Sequence, residues 1–201
     1  MNQREQGGFG DHASIVLNAG AQANETVGIE GIYKVECRDK DGNLKWEESF
    51  PNLVVAVGKQ LLLDTLLKGV SYSVVGPFLG LTSASLTPAA TDTMATIVPS
   101  SEFINYTVGG SAVRGTAVFA SATSTGTTPT NVTTSTATAI TYTITGAGGT
   151  VYGCFLVTGT GASSAQGNTG GTLYSVGNFA TAKITTAGDT VSVTYSATAT
   201  S

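Results

Sequence analysis

Charge is what this chain has least of. Asp, Glu, Lys and Arg make up 11% of its 201 residues, against about 25% in an ordinary globular protein. The few Lys and Arg residues form no cluster and the net charge is −4, which argues against a basic footprint for nucleic acid. Histidine occurs once, at His12, and cysteine twice, at Cys37 and Cys154. The two cysteines have no metal-ligand spacing, and we expect both reduced and buried as small hydrophobes. No apolar run approaches the roughly 18 residues of a membrane span, and residues 1–20 lack the basic-then-apolar layout of a secretory signal. Neither a membrane nor a nucleic acid is therefore an expected partner.

Small neutral residues take the place of the charges. Glycine occurs 26 times, Thr, Ser and Ala are abundant, and hydrophobic residues make up 41%. Thr is β-branched and sits well on a pleated surface, so Thr-rich alternation favours strands. Hydroxyl-covered surface also loses less on desolvation than surface covered in Lys and Glu, which suits burial against a partner. Composition is equally compatible with an ordinary surface or secreted β-sandwich.

Three stretches divide the chain. Residues 1–28 have several glycines, no sustained period and few large apolar residues beyond Phe9 and Ile15–Leu17. They read as an N-terminal arm that cannot bury itself, either simply disordered or laid on a neighbour. Residues 29–69 carry most of the charge. There Tyr33, Val35 and Cys37 alternate with Lys34, Glu36 and Arg38, the period of a half-buried strand. Asp41-Gly42 signals a turn, and Leu44, Trp46 and Phe50 follow, which together predict a β-hairpin. Leu53–Val57 reads as a short buried strand. Lys59–Lys68 reads as the one substantial helix, with Leu62, Leu63, Leu66 and Leu67 on its core face and Gly69 as its stop.

Beyond residue 70 the only charges are Asp92, Glu102, Arg114, Lys183 and Asp189. Short runs recur at Phe78–Leu81, Val113–Phe119, Ala139–Thr145, Val151–Val157, Leu173–Phe179 and Val191–Tyr195. Ser121–Thr138 and Gly159–Gly171 read as long loops between them, and Pro77 suggests an edge position or a bulge for its strand. The expected fold is mainly β: an antiparallel β-sandwich, jelly-roll-like, formed as a single domain by residues 29–201. One short helix near residues 59–68 and the extended arm of residues 1–28 complete it. Trp46, Phe50, Leu62, Leu63, Leu66, Phe155, Tyr174 and Phe179 are expected in the core. The remaining strand aromatics are expected there too, since a sugar-stacking platform would need several of them exposed on one face.

Catalytic chemistry finds few candidates. A nucleophile needs a base and an orienting group within reach, and His12 lies in the arm, without a rigid frame. Glu47 and Glu48 are strand neighbours and point to opposite faces, so they cannot form a glycosidase pair. Asp92, Glu102 and Asp189 would have to be brought together by the fold. Asp39-Lys40-Asp41-Gly42-Asn43 resembles the front of a calcium loop, but the twelfth position is Phe50 rather than a bidentate Glu, so a hairpin turn is expected. Asn24, Asn105 and Asn131 open glycosylation-type triplets that a Thr-rich chain produces by chance. No catalytic, metal or cofactor-binding residue is expected.

The segment YKVECRDKDGNLKWEESFPNLVVAVGKQLLLDTLL (Tyr33–Leu67) resembles the opening of a family of tailed-bacteriophage virion proteins. So do FLGLTSASLTPAATDTMAT (Phe78–Thr96), GCFLV (Gly153–Val157), GGTLYSVGNFA (Gly170–Ala180) and GDTVSVTYSATA (Gly188–Ala199). Together these pieces cover most of the chain after residue 30, whereas Ser100–Thr150 departs from the pattern. The resemblance implies a virion component, assembled in the host bacterial cytoplasm, on either the capsid or the tail, and the missing catalytic inventory makes a non-enzymatic one the expectation. Within that class, size, arm and low charge favour a capsid decoration or cement protein that binds the major capsid protein and copies of itself. The alternative is a tail or tail-fibre module, for which a longer chain with shaft repeats would be expected.

Overall fold

A computed structural model describes residues 28–68, 75–125, 128–132 and 139–200. The expected arm lies outside them, His12 included, except for Gly28, which opens the first strand. Gly69, the expected helix stop, also lies outside.

The structure is mainly β, with two antiparallel sheets arranged like a sandwich. One sheet has the order β2 (Leu44–Pro51), β1 (Gly28–Arg38), β13 (Thr190–Thr200), β10 (Ile140–Ile144), β6 (Tyr106–Thr107). Two further strands, β8 (Thr123–Thr125) and β9 (Thr128–Val132), join it through β13. The other runs β3 (Leu53–Val54), β12 (Thr172–Thr185), β11 (Gly149–Thr158), β4 (Phe78–Thr82), β5 (Glu102–Phe103), with β7 (Gly115–Thr116) also on β4.

The alternation in β1 does what its period requires. Tyr33, Val35 and Cys37 are fully buried, while Lys34 and Arg38 face water. The hairpin closes through Asp39, whose carboxylate accepts the backbone N–H groups of Asp41 and Asn43, with Gly42 at φ 87°. The calcium-like run is thus a turn held by its own first carboxylate.

Both sheets contribute to one core. Tyr33, Val35 and Cys37 meet Leu79, Leu81, Cys154 and Leu156 there. Polar atoms cross the same space: Tyr33 Oη lies 2.7 Å from Ser175 Oγ, and Tyr142 Oη donates to the Leu79 carbonyl at 2.7 Å. Phe155 and Val157 point to the far side of their sheet, into a second cluster with Val55, Met94, Ile97 and Leu173. Covered on both faces, β11 loses the alternation that β1 shows.

Several expectations are corrected. The helix, here α1, spans Ala56–Leu67, so the strand expected at Leu53–Val57 shrinks to Leu53–Val54. A second helix, α2 (Met94–Ser101), starts with a reciprocal Thr93–Thr96 capping box and contains Pro99. The stretch read as a long loop, Ser121–Thr138, holds β8 and β9, with Thr130, Asn131 and Val132 paired to β13. In Val113–Phe119 only Gly115–Thr116 forms a strand, because Arg114 turns inward to a buried partner. Pro77 lies just before β4, and β4 is an interior strand paired on both sides. The run at Leu173–Phe179 continues to Thr185.

Candidate interaction surface

α1 carries leucines on more than one side, interrupted by the polar Lys59, Gln60, Asp64 and Thr65. Its sequence, AVGKQLLLDTLL, offers leucine to opposite sides of the helix, so sequence periodicity alone does not fix which side goes inward. Gly58 decides. It is the buried residue of the helix, and a Cβ there would stand 2.7 Å from the Tyr174 carbonyl oxygen. Only a bare backbone lets α1 lie this close to β12. With Gly58 inward, Leu61 and Leu62 follow it at helical spacing and are half-buried. Leu63, Leu66 and Leu67 are turned outward, at 58%, 76% and 80% exposure. The expected core positions Leu63 and Leu66 are therefore corrected to surface positions.

Two apolar depressions adjoin this helix. One, of about 280 Å³, is bounded by Leu62, Pro77, Phe119, Leu156, Tyr174 and Ala197 among others. The other, of about 210 Å³, lies along Leu61, Thr65, Leu66 and Tyr174. Among the described residues, helix and depressions together form an exposed, mainly apolar surface.

The remaining expected core residues are placed as follows. Phe50, Phe155 and Phe179 are buried, whereas Trp46, Leu62 and Tyr174 are partly covered. Trp46 packs edge-on against Phe179 with ring centroids 5.5 Å apart, and Lys183 sits over both rings. Tyr33, Tyr106, Tyr142 and Tyr195 are all within the core.

The charges that stand alone in the sequence are taken up inside the fold. Arg114, fully buried, donates to both carboxylate oxygens of Glu102 at 2.7 and 2.8 Å and to the carbonyls of Ser163 and Asn168. The Gly167 N–H adds a bond to the same carboxylate, at 2.7 Å. This clasp fixes the Gly159–Gly171 loop against the end of α2. Lys183 pairs with Glu48 at 2.7 Å, and Glu48 also accepts the Ala180 N–H, which ties the end of β12 to β2. Lys45 pairs with the buried Asp189 at 2.6 Å. Asp92 accepts the Ala89 N–H at 2.8 Å. Asp92, Glu102 and Asp189 thus each serve a contact of their own.

Electrostatics follow from these partners. Burial works to raise the Asp189 carboxyl, but the Lys45 ammonium and the Thr186 N–H and hydroxyl outweigh it and hold it below the usual range. Glu48 is likewise depressed, burial being outweighed by the Ala180 N–H and Lys183. Cys37 and Cys154 are free thiols in the core. Burial, reinforced by the nearby Asp189 charge, pushes Cys37 up to about 12, and burial alone raises Cys154. Among the described residues no group of three His, Cys, Asp or Glu side chains could hold a metal ion. Among them, too, no helix is long and apolar enough to cross a membrane.

No protein-family model, no curated protein and no solved structure matches the chain.

Proposed function

We propose that this chain is a structural, non-enzymatic subunit of a tailed-bacteriophage particle. In this reading it is a decoration or cement protein that coats the outer face of the head. It grips the major capsid protein and copies of itself by burying neutral surface between them. One observation carries the emphasis on subunit contact: α1 turns Leu63, Leu66 and Leu67 to solvent, on a body whose later charges are engaged within the fold. Exposed leucines beside apolar depressions gain from being covered. The virion assignment itself draws on the resemblance of Tyr33–Leu67 and the later segments to phage structural proteins.

The test is binding of the purified protein to expanded, genome-filled capsids, with copy number read by quantitative gel. A fixed number of copies per lattice unit is expected. A few copies per particle would move the assignment to the tail. Absence from the particle, or turnover of a sugar or ester substrate, would defeat it.

A further inference from the structure

We propose that the seam between β2 and the end of β12 is an acid-operated latch. Protonating Asp189 and Glu48 lets the Leu44–Glu48 half of β2 lift away from β12 and opens Trp46 to water, while both sheets stay folded.

The latch is built from two ion pairs of opposite polarity. β2 stands at the edge of its sheet, with β1 as its strand neighbour. From β2, Lys45 donates to Asp189 at 2.6 Å and to the Thr186 hydroxyl at 3.3 Å, both in the turn after β12. Glu48, three residues on, pairs with Lys183 at 2.7 Å and accepts the Ala180 N–H at 2.7 Å. Trp46 lies between these ties. Its indole N–H donates to the Ile184 carbonyl at 3.4 Å, and its ring packs on Phe179 under Lys183. At the other end of β2, Phe50 is buried between Tyr33 and Phe179 and keeps that end in the core.

Asp189 is faced by Lys45 from β2, by the Cys37 thiol from β1 and by Thr186 from its own turn, and Asp39 acts on Lys45 from the hairpin turn. Glu48 is faced by Lys183, and Lys34 and Glu47 border the depression beside it. Burial alone would raise both carboxyls, but the donors around them hold them below the ordinary range. The ties are therefore intact at neutrality and are lost as pH falls below about 4. Protonation leaves the ammonium groups of Lys45 and Lys183 beside the seam without their carboxylates, and each gains by reaching water. For Lys45, reaching water moves β2. β1 keeps β13 as its partner along its whole length, so the sheet survives the opening. An edge segment held by side chains gives way before the core does. What it uncovers is the Trp46 and Phe179 rings, an apolar surface that the closed subunit withholds.

Trp46 is the one tryptophan of the chain, so its fluorescence reads the seam directly. The test is an acid titration of the full chain at fixed temperature, followed by tryptophan emission, acrylamide quenching and far-ultraviolet circular dichroism. Emission should shift to the red and quenching should rise with a midpoint at higher pH than the loss of strand signal. Glu48→Gln and Asp189→Asn should each raise quenching already at neutral pH with the strand signal kept. Glu47→Gln, on the outer face of the same strand, should leave the acid profile unchanged. Coincident midpoints for fluorescence and strand signal overturn the inference, because the chain then unfolds as one unit. So does quenching at neutral pH that neither carboxamide variant raises, or a profile that Glu47→Gln shifts as far as Glu48→Gln does. Where a carboxamide variant fails to fold, the order of the two wild-type midpoints decides.

Discussion

Arg114 and Glu102 form a two-pronged ion pair with 0% and 2% of their side chains exposed. Each further hydrogen bond of the pair goes to the backbone of one loop, at Ser163, Gly167 and Asn168. Burying such a pair adds little net stability, but removing one partner strands the other charge in a dry site. Arg114→Met and Glu102→Gln should therefore each cost about 3–5 kcal/mol in urea unfolding. Arg114→Met combined with Glu102→Leu should cost clearly less than the two single effects added.

Acid should unfold the protein through Asp189 and Glu48. Both carboxyls sit below their ordinary values in the folded state. The unfolded chain therefore binds more protons in that range, and stability falls as pH drops below about 4. Melting temperature against pH should be flat near neutrality and fall on the acid side. Asp189→Asn should shift the neutral plateau down and make the acid limb shallower.

Gly58→Ala inverts a familiar expectation. In an exposed helix interior, alanine gains about 1 kcal/mol over glycine. Here the new methyl would meet the Tyr174 backbone, which cannot rotate away. A loss of about 1–3 kcal/mol is expected instead, measured by denaturant titration. A gain would mean that α1 does not rest on β12 through this residue.

The thiols should be silent while the fold is intact. Cys37, with its pKa pushed up to about 12, should react with a thiol reagent at pH 8 on the order of a thousandfold more slowly than in denaturant. Cys154, buried in the same core, should behave likewise. Stoichiometric labelling of the native protein would contradict the packing of β1 against β11.

The hairpin was readable because its two faces differ: Tyr33, Val35 and Cys37 are apolar, and their neighbours are charged. Where that contrast is missing, reading from sequence fails. β8 and β9 are built from Thr, Ser, Pro and Asn with Val132 as their one aliphatic residue, so no alternating apolar face marks their period. α1 has leucines on opposite sides, so its rotation depends on Gly58, a signal that is visible only once a close neighbour is known. α2 was hidden by Pro99, although the Thr-x-x-Thr at Thr93–Thr96 is a start signal. Arg114 also left a trace, as a lone cation among apolar residues that needed an acid. Which of Glu102, Asp92 or Asp189 would meet it depends on long-range pairing that no local pattern records.

The pairing of β1 with β13 runs from Gly28 opposite Thr200 to Arg38 opposite Thr190. The first described strand therefore waits for the last before its inner edge is filled, and during synthesis the hairpin is made long before its neighbour leaves the ribosome. Such distant closure slows folding, but it also acts as a check on completeness. A polypeptide cut short before residue 190 would keep an open edge along β1 and would leave β9 and β10 without their shared partner. Only copies that carry β13 would then complete the sheet that β1, β9 and β10 share.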